Sequence, residues 1–163
     1  MIVEQNMYDF DDFRKIVAKL RAEDGCPWDR EQTIMSMRAC CIEEAAEVVC
    51  GADIYDETGD PSNLREELGD LLFQVLLNSQ IAEDEGLFTL DDVIDGIAAK
   101  MISRHPHVFG DEKAADSAAV IARWNELKKT EKTGKEWQKE YLPRAFSESA
   151  EFIDRARERK GIK

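Results

Sequence analysis

Five carboxylates stand in two short motifs whose spacing suits metal chemistry. Glu43, Glu44 and Glu47 lie in "CIEEAAEVVCG", and Glu67 and Asp70 lie in "REELGDLLFQVLLNSQ". Both stretches have the apolar spacing of buried helices, where an unpaired carboxylate is costly. Two such charges ~4 Å apart repel by roughly 4 kcal/mol at an effective dielectric of 20. A divalent cation would remove this repulsion, and carboxylates suit Mg²⁺, with Mn²⁺ as a substitute.

The angular positions of these carboxylates indicate that four of them converge. At about 100° per residue, Glu44 and Glu47 flank the apolar stripe of their helix, whereas Glu43 points nearly opposite it. The second helix carries a polar lane, made of Glu67, Asp70, Gln74 and Asn78. Because the turn "ETGDPSN" is short, we expect an antiparallel helix pair in which Glu47 and Asp70 are about equally far from the turn.

An ordinary solvated helix face is the alternative interpretation of a Glu-rich stretch. The match in height across the turn favours a metal site, and so does the lack of a basic partner on the first helix after Arg38. A di-iron bundle would need a histidine where Glu47 stands, and the two histidines flank a proline instead. Zinc is disfavoured for the same reason.

The rest of the chain must position this helix pair. With 43% hydrophobic residues among 163, the chain can bury one compact core. Helical periodicity dominates, so we predict an all-α bundle of about five helices. They comprise one through 10–20, the acidic pair at about 34–56 and 61–85, one opening at Thr89 and one opening at Asp116. We predict a domain over 8–133 and a charged, helical C-terminal tail over 134–163.

The net charge and the lengths of the apolar runs indicate which partners and which cellular location to expect. The formal net charge of -13 disfavours binding to nucleic acid or an anionic membrane. The cysteines lack CxxC spacing, the N-terminus has no signal-peptide pattern, and "LLFQVLL" is too short to cross a bilayer. We therefore expect a cytoplasmic protein. The apolar surface of "LLFQVLLNSQI" exceeds what one neighbouring helix covers, which predicts a homodimer or homotetramer.

Five motifs, taken in order, resemble the MazG-type nucleoside triphosphate pyrophosphohydrolases, all-α enzymes related to dimeric dUTPases. They are "GCPWDREQT", EExxE at Glu43, Glu44 and Glu47, ExxD at Glu67 and Asp70, "KMISRHPHVFGD" and "WNELKK". The resemblance runs from Leu20 to about Lys132, with weaker similarity in "LPRAFSESAEF". It implies hydrolysis of a nucleoside triphosphate to the monophosphate and pyrophosphate, with Mg²⁺ on the residues that match Glu44, Glu47, Glu67 and Asp70.

The resemblance also implies roles for residues outside the acidic motifs. Lys100, Arg104 and Lys128 would face the phosphates, against the alternative of solvated surface. Trp124 would lie near the nucleotide, with core packing as the alternative.

Trp28 and Asp29 would line the pocket, although a turn that fixes the entry of a helix would look the same. The role of Glu43 stays open between orienting and activating water, in an oligomer that covers its side of the helix.

Three positions depart from the family pattern, in which "QTHxSL" and "EEAYE" are usual. Ile34, Met37 and Ala46 replace a His, a Leu and a Tyr, which predicts altered specificity with the metal ligands intact. Two alternatives to the general pyrophosphohydrolase remain. One is a narrower dCTP or dUTP pyrophosphatase, and the other is a catalytically idle helical module that binds a partner protein.

Overall fold

The computed structural model describes residues 7–162, and all regular secondary structure among them is helical. The helices are α1 (Phe10–Arg21), α2 (Pro27–Glu31), α3 (Arg38–Thr58), α4 (Ser62–Asp84), α5 (Leu90–Arg104), α6 (Pro106–Phe109), α7 (Ser117–Glu131) and α8 (Gln138–Lys160). The predicted all-α class is confirmed. The count exceeds the predicted five because two loop segments form the short helices α2 and α6, and the tail forms α8. Among residues 7–162, no helix is long and apolar enough to span a membrane.

The helices fall into two compact units. The first unit runs up to Leu90 and includes the chain from Ser149 onwards, so it holds α1 to α4 and the C-terminal part of α8. The second unit spans Asp91–Glu148 and holds α5, α6, α7 and the N-terminal part of α8. The domain boundary predicted between residues 133 and 134 stays a prediction.

Local hydrogen bonds decide where α3 begins. Thr33 and Ser36 exchange bonds, because each backbone N–H donates to the other's hydroxyl, at 2.9 and 3.1 Å. This turn occupies the segment predicted as the first turn of the helix, so α3 starts at Arg38 rather than near Ile34. Thr33 therefore caps a turn and not α3 itself. At the other end, α3 stops at Gly59, whose φ of 75° suits glycine.

The core of the first unit forms where α4 packs against α1 and α3. Its buried members are Val17, Met37, Leu76, Leu77, Ile81 and Leu90. A second link joins α1 to the end of α4, since Arg21 Nε donates to Asp84 Oδ2 at 2.6 Å. Together these contacts fix α4 along its length, and α4 carries half of the acidic motif pair.

Candidate active site

Contacts at both ends of the α3 and α4 pair establish an antiparallel arrangement. Near the turn, Gly51 approaches α4 so closely that an added Cβ would lie 2.8 Å from Leu64 Cα. Far from the turn, Asn78 Nδ2 lies 3.4 Å from Cys41 Sγ. The predicted register, with the EExxE and ExxD motifs at the same height, is therefore the one observed.

Three of the predicted carboxylates meet between these helices. Glu44 on α3 and Glu67 and Asp70 on α4 each offer an oxygen, and these oxygens lie within 4.8 Å of one another. Glu67 is the most enclosed, at 9% exposure. Its Oε1 accepts a hydrogen bond of 2.9 Å from Asn63 Nδ2, one turn earlier on α4. The amide fixes the orientation of this carboxylate.

The pKa of Glu44 reflects the negative charges that surround it. It is raised above its usual value, first by burial and then by the charges of Glu47, Asp70, Glu43 and Glu67, in that order. A raised pKa means that the folded protein disfavours the ionised form of Glu44. The other three carboxylates of the predicted site therefore lie close enough to Glu44 to repel its charge. A cation bound among them would reduce this repulsion.

The trio fits a hard divalent cation. Three carboxylate oxygens within 4.8 Å of one another offer the all-oxygen donor set that Mg²⁺ and Mn²⁺ prefer. Gln74 lies one turn beyond Asp70 in the same polar lane, and its buried Oε1 has no hydrogen-bond partner among the described residues. An acceptor of this kind suits the water shell that Mg²⁺ usually keeps.

Glu43 and Glu47 contact the end of α8. Arg159 NH2 donates to both oxygens of Glu43, and Lys160 Nζ contacts Glu47 Oε1 and lies 3.1 Å from Glu43 Oε1. The pKa of Glu43 is lowered, chiefly by the bond from Arg159 and secondarily by Lys160. The chain's own tail therefore covers the side of α3 that carries Glu43. From the sequence we expected an oligomer to cover this side.

The pairing of Glu47 with Lys160 was not predicted from the sequence. In the structure Glu47 has an ammonium partner on α8 and is not one of the three carboxylates whose oxygens cluster. Its role as a metal ligand therefore stays a prediction, which requires that Lys160 be displaced. The signal for the pairing was the basic run "RARERK", which lies more than a hundred residues from EExxE.

The second unit holds the predicted phosphate-facing residues. Arg104 Nε donates to Glu131 Oε1 at 3.1 Å, and its guanidinium carbon lies 5.2 Å from the centroid of the Trp124 ring. The His105 ring meets the same indole edge to face, with centroids 4.9 Å apart. Lys100 lies near enough to Glu131 to help lower that carboxyl's pKa, after Arg104. Trp124 thus contacts both a cation and a histidine, and Lys128 lies one turn further along α7.

A basic cleft in this unit includes two residues that the motifs did not indicate. The cleft has a volume of about 480 Å³, and four cations line it, namely Lys100, Arg104, Lys132 and Lys135. Glu131 is the acidic residue among its lining. The signal in the sequence is the lysine density of "KKTEKTGK", which spans the predicted boundary between the domain and the tail.

The remaining predicted pocket residues lie in α2. Asp29 is buried, with 7% exposure, and Trp28 is about half exposed. Arg21 on α1 donates through NH1 to the carbonyl oxygens of Asp29 and Gln32. These bonds fasten α2 to α1 and support the structural interpretation of "CPWD", a turn that fixes the entry to a helix. Contact of Trp28 and Asp29 with substrate stays a prediction.

The three departures from the family pattern occupy different environments. Met37 is a core residue, at 1% exposure, and Ile34 packs against the same cluster. Ala46, by contrast, lines a cavity beside the acidic motifs. A change at Ala46 therefore acts on accessible space, whereas changes at Ile34 and Met37 act on packing.

Both acidic motifs lie in a region that matches a known domain family. The sequence profile of the MazG nucleotide pyrophosphohydrolase domain matches residues 32–109. That range holds all five motif carboxylates, together with Lys100 and Arg104. Trp28, Asp29, Trp124 and Lys128 lie outside it.

Similar proteins align over more than three quarters of the chain. The uncharacterized protein YabN of Bacillus subtilis (strain 168) is 50% identical over 129 residues, which make up 79% of this chain and 26% of that protein. The nucleoside triphosphate pyrophosphohydrolase of Escherichia coli (strain K12) is 43% identical over 130 residues, 79% of this chain and 48% of the relative. The nucleoside triphosphate pyrophosphohydrolase/pyrophosphatase MazG of Thermotoga maritima is 42% identical over 123 residues, 76% and 45% of the two chains. The chain thus spans about half or less of each relative's length. Residues 32–109 thus match the MazG nucleotide pyrophosphohydrolase domain, and about three quarters of the chain is similar to proteins whose names include nucleoside triphosphate pyrophosphohydrolase.

Proposed function

We propose that this chain hydrolyses nucleoside triphosphates to nucleoside monophosphates and pyrophosphate. The observation that carries the proposal is the trio of carboxylate oxygens within 4.8 Å, placed on a helix pair inside the matched domain. Glu44, Glu67 and Asp70 would hold Mg²⁺, with Mn²⁺ as a substitute, and Glu47 would join them when Lys160 is displaced. Two of the relatives are named for this activity.

The reaction asks little covalent chemistry of the protein. The oxygen of a water molecule forms a bond to phosphorus, the bond from that phosphorus to the departing pyrophosphate oxygen breaks, and one proton of the water passes to solvent. A bound Mg²⁺ would offset the charge of the triphosphate and lower the pKa of water. Glu43 is a weak base for that proton because Arg159 lowers its pKa. An orienting role for Glu43 therefore fits better than proton abstraction.

Within the second unit, the basic cleft is a candidate site for phosphate. Lys100 and Arg104 line a cleft with two further lysines, and positive charge concentrated in this way favours polyphosphate over neutral ligands. In the structure the Arg104 guanidinium donates to Glu131. A guanidinium can bind a phosphate through the same pair of parallel hydrogen bonds with which it binds a carboxylate. We propose that phosphate replaces Glu131 at Arg104. Lys128 would contribute a further charge, and Trp124 would lie beside the nucleotide.

A homodimer or homotetramer is part of the proposal. Leu68, Leu72 and Val75 on α4 are 51%, 40% and 44% exposed, and Val49 on α3 is 61% exposed. Apolar side chains repeated along one helix pair favour coverage by a second copy. A monomer at micromolar concentration in light scattering would contradict this part of the proposal. Cytoplasmic location stays a prediction.

The test is to offer all common ribo- and deoxyribonucleoside triphosphates with Mg²⁺ and to identify the products by chromatography. We expect monophosphate and pyrophosphate in equal amounts. Diphosphate with orthophosphate would refute the assignment. The narrower dCTP or dUTP pyrophosphatase predicts turnover of those substrates alone. The idle binding module predicts no turnover and no stabilisation by Mg²⁺.

A further inference from the structure

A cavity of about 400 Å³ lies between α3, the first turns of α4 and the C-terminal part of α8. One wall comes from α3, where Ala46, Cys50 and Ile54 recur every four residues and so share one face of the helix. Ile153 and Ala156 of α8 also line it. All of these residues belong to the first unit. The volume falls within the range of about 300–1,000 Å³ that is typical of small-molecule sites.

The polar end of the cavity adjoins the carboxylate trio. Glu67 lines the cavity and also contributes an oxygen to the trio. Asn63, which donates to Glu67, lines the cavity as well and offers the remaining hydrogen-bonding capacity of its amide. A molecule with an anionic group at the trio can therefore place an uncharged part in the cavity.

The charges that line the cavity largely offset one another. Three carboxylates and two cations line it, namely Glu43, Glu47, Glu67, Arg157 and Lys160, and Glu43 and Glu47 are each paired with a cation of α8. The lining therefore offers no excess positive charge to a phosphate group, and its apolar side chains remain as a surface for an uncharged ligand group. Such a surface suits a flat heterocycle, which buries two apolar faces and keeps hydrogen-bonding groups at its edge.

We propose that this cavity receives the base of the nucleotide, and that Ala46 sets the size of base that it accepts. This inference rests on the proposed pyrophosphohydrolase function. The methyl side chain of Ala46 leaves room for a purine. A tyrosine at this position would place an aromatic ring in the cavity and leave space only for a smaller base, a pyrimidine.

The experiment compares Ala46→Tyr with a second variant and a matched control. Ala156→Phe fills the same cavity from α8, so it tests the proposal independently of α3. Ala45→Tyr adds the same bulk at an exposed neighbour that is not in the cavity lining. For each protein we would measure KM and kcat for ATP, GTP, CTP and UTP, the equilibrium affinity for AMP, and the rise in Tm caused by Mg²⁺.

We expect both cavity-filling variants to raise KM for ATP and GTP by about tenfold or more, as misfit in an apolar pocket does, with pyrimidine substrates changed less than about threefold. AMP affinity should fall in parallel. The Mg²⁺-induced rise in Tm should match that of the parent, because the carboxylates are untouched, and Ala45→Tyr should match the parent throughout.

Two results would overturn the inference while leaving the proposed function intact. One is an active parent whose KM values and AMP affinity are unchanged in Ala46→Tyr and Ala156→Phe. The other is an equal loss for purines and pyrimidines in both variants. An inactive parent with every triphosphate would instead contradict the proposed function itself.

Discussion

Replacing Glu67 with glutamine should stabilise the metal-free protein and remove its response to Mg²⁺. Glu67 is the most enclosed carboxylate of the trio, and the substitution keeps its shape and the acceptor oxygen that Asn63 binds. Like charges 4.8 Å apart repel by about 3.5 kcal/mol at an effective dielectric of 20. Glu44 and Asp70 retain contact with solvent, which screens this repulsion, so we expect a net gain of about 1–2 kcal/mol in the free energy of unfolding.

Magnesium should reverse the order of stability. At a concentration of 100 times Kd, a ligand that binds the folded state alone stabilises it by about 2.7 kcal/mol. The parent should gain this amount and Glu67→Gln should gain far less. The variant would therefore be the more stable protein in EDTA and the less stable one in Mg²⁺.

Urea unfolding followed by circular dichroism measures both effects. The titrations are run in EDTA and in MgCl₂ at matched ionic strength, and an unchanged m-value would indicate that the same surface is exposed on unfolding. Glu66→Gln is the control. Glu66 is the exposed neighbour of Glu67, so this substitution removes the same charge from outside the trio. The reasoning is refuted if Glu67→Gln is destabilised in EDTA and keeps the parent's gain in Mg²⁺.

Three further predictions concern other parts of the chain. Lys160→Gln should lower the Mg²⁺ concentration at half-saturation in thermal-shift titrations, because it frees a motif carboxylate; an unchanged or higher value would contradict this. The bond from Arg104 lowers the pKa of Glu131, so its stabilisation is present above the unfolded-state pKa and is lost as pH falls through the folded-state pKa. Glu131→Gln should therefore have a lower Tm than the parent at pH 7, with a difference that shrinks below about pH 4; a gap that is constant with pH would count against the pairing. Gly51→Ala should destabilise by about 1–3 kcal/mol through its clash with the α4 backbone, whereas Gly69→Ala, with open space around its Cβ, should be neutral or stabilising by up to about 1 kcal/mol in urea unfolding. Equal stabilities for these two variants would argue against the close packing of α3 on α4.

The helix pair and its register could be predicted because local patterns determine them. Apolar spacing identified both helices, and a short turn left the antiparallel arrangement as the simple solution. Asp116 was predicted to open a helix, and its side chain accepts from Ala119 N at 2.8 Å at the start of α7. The start of α3 was displaced by a turn that two hydroxyls stabilise, and periodicity does not detect a competition of that kind.

The docking of α8 could not be predicted from the sequence. Its contacts join exposed charges more than a hundred residues apart, and any of several carboxylates could have been the partner of Arg159 or Lys160. Phe152 meets Arg38 at the start of α3, with the guanidinium carbon 5.5 Å from the ring centroid, and no motif indicated this contact. The cavity beside Ala46 depends on the same docking, so the space next to the acidic motifs became visible only in three dimensions.

Turnover of the four amide variants tests the central claim most directly. Glu44→Gln, Glu47→Gln, Glu67→Gln and Asp70→Asn each remove one charge without changing the shape of the side chain, so the fold should persist. At saturating Mg²⁺ we expect pyrophosphate release to fall by roughly a hundredfold or more in each, because several kcal/mol of charge stabilisation depend on the metal. Parental turnover in any two of the four variants would contradict the metal site on which the proposed function rests.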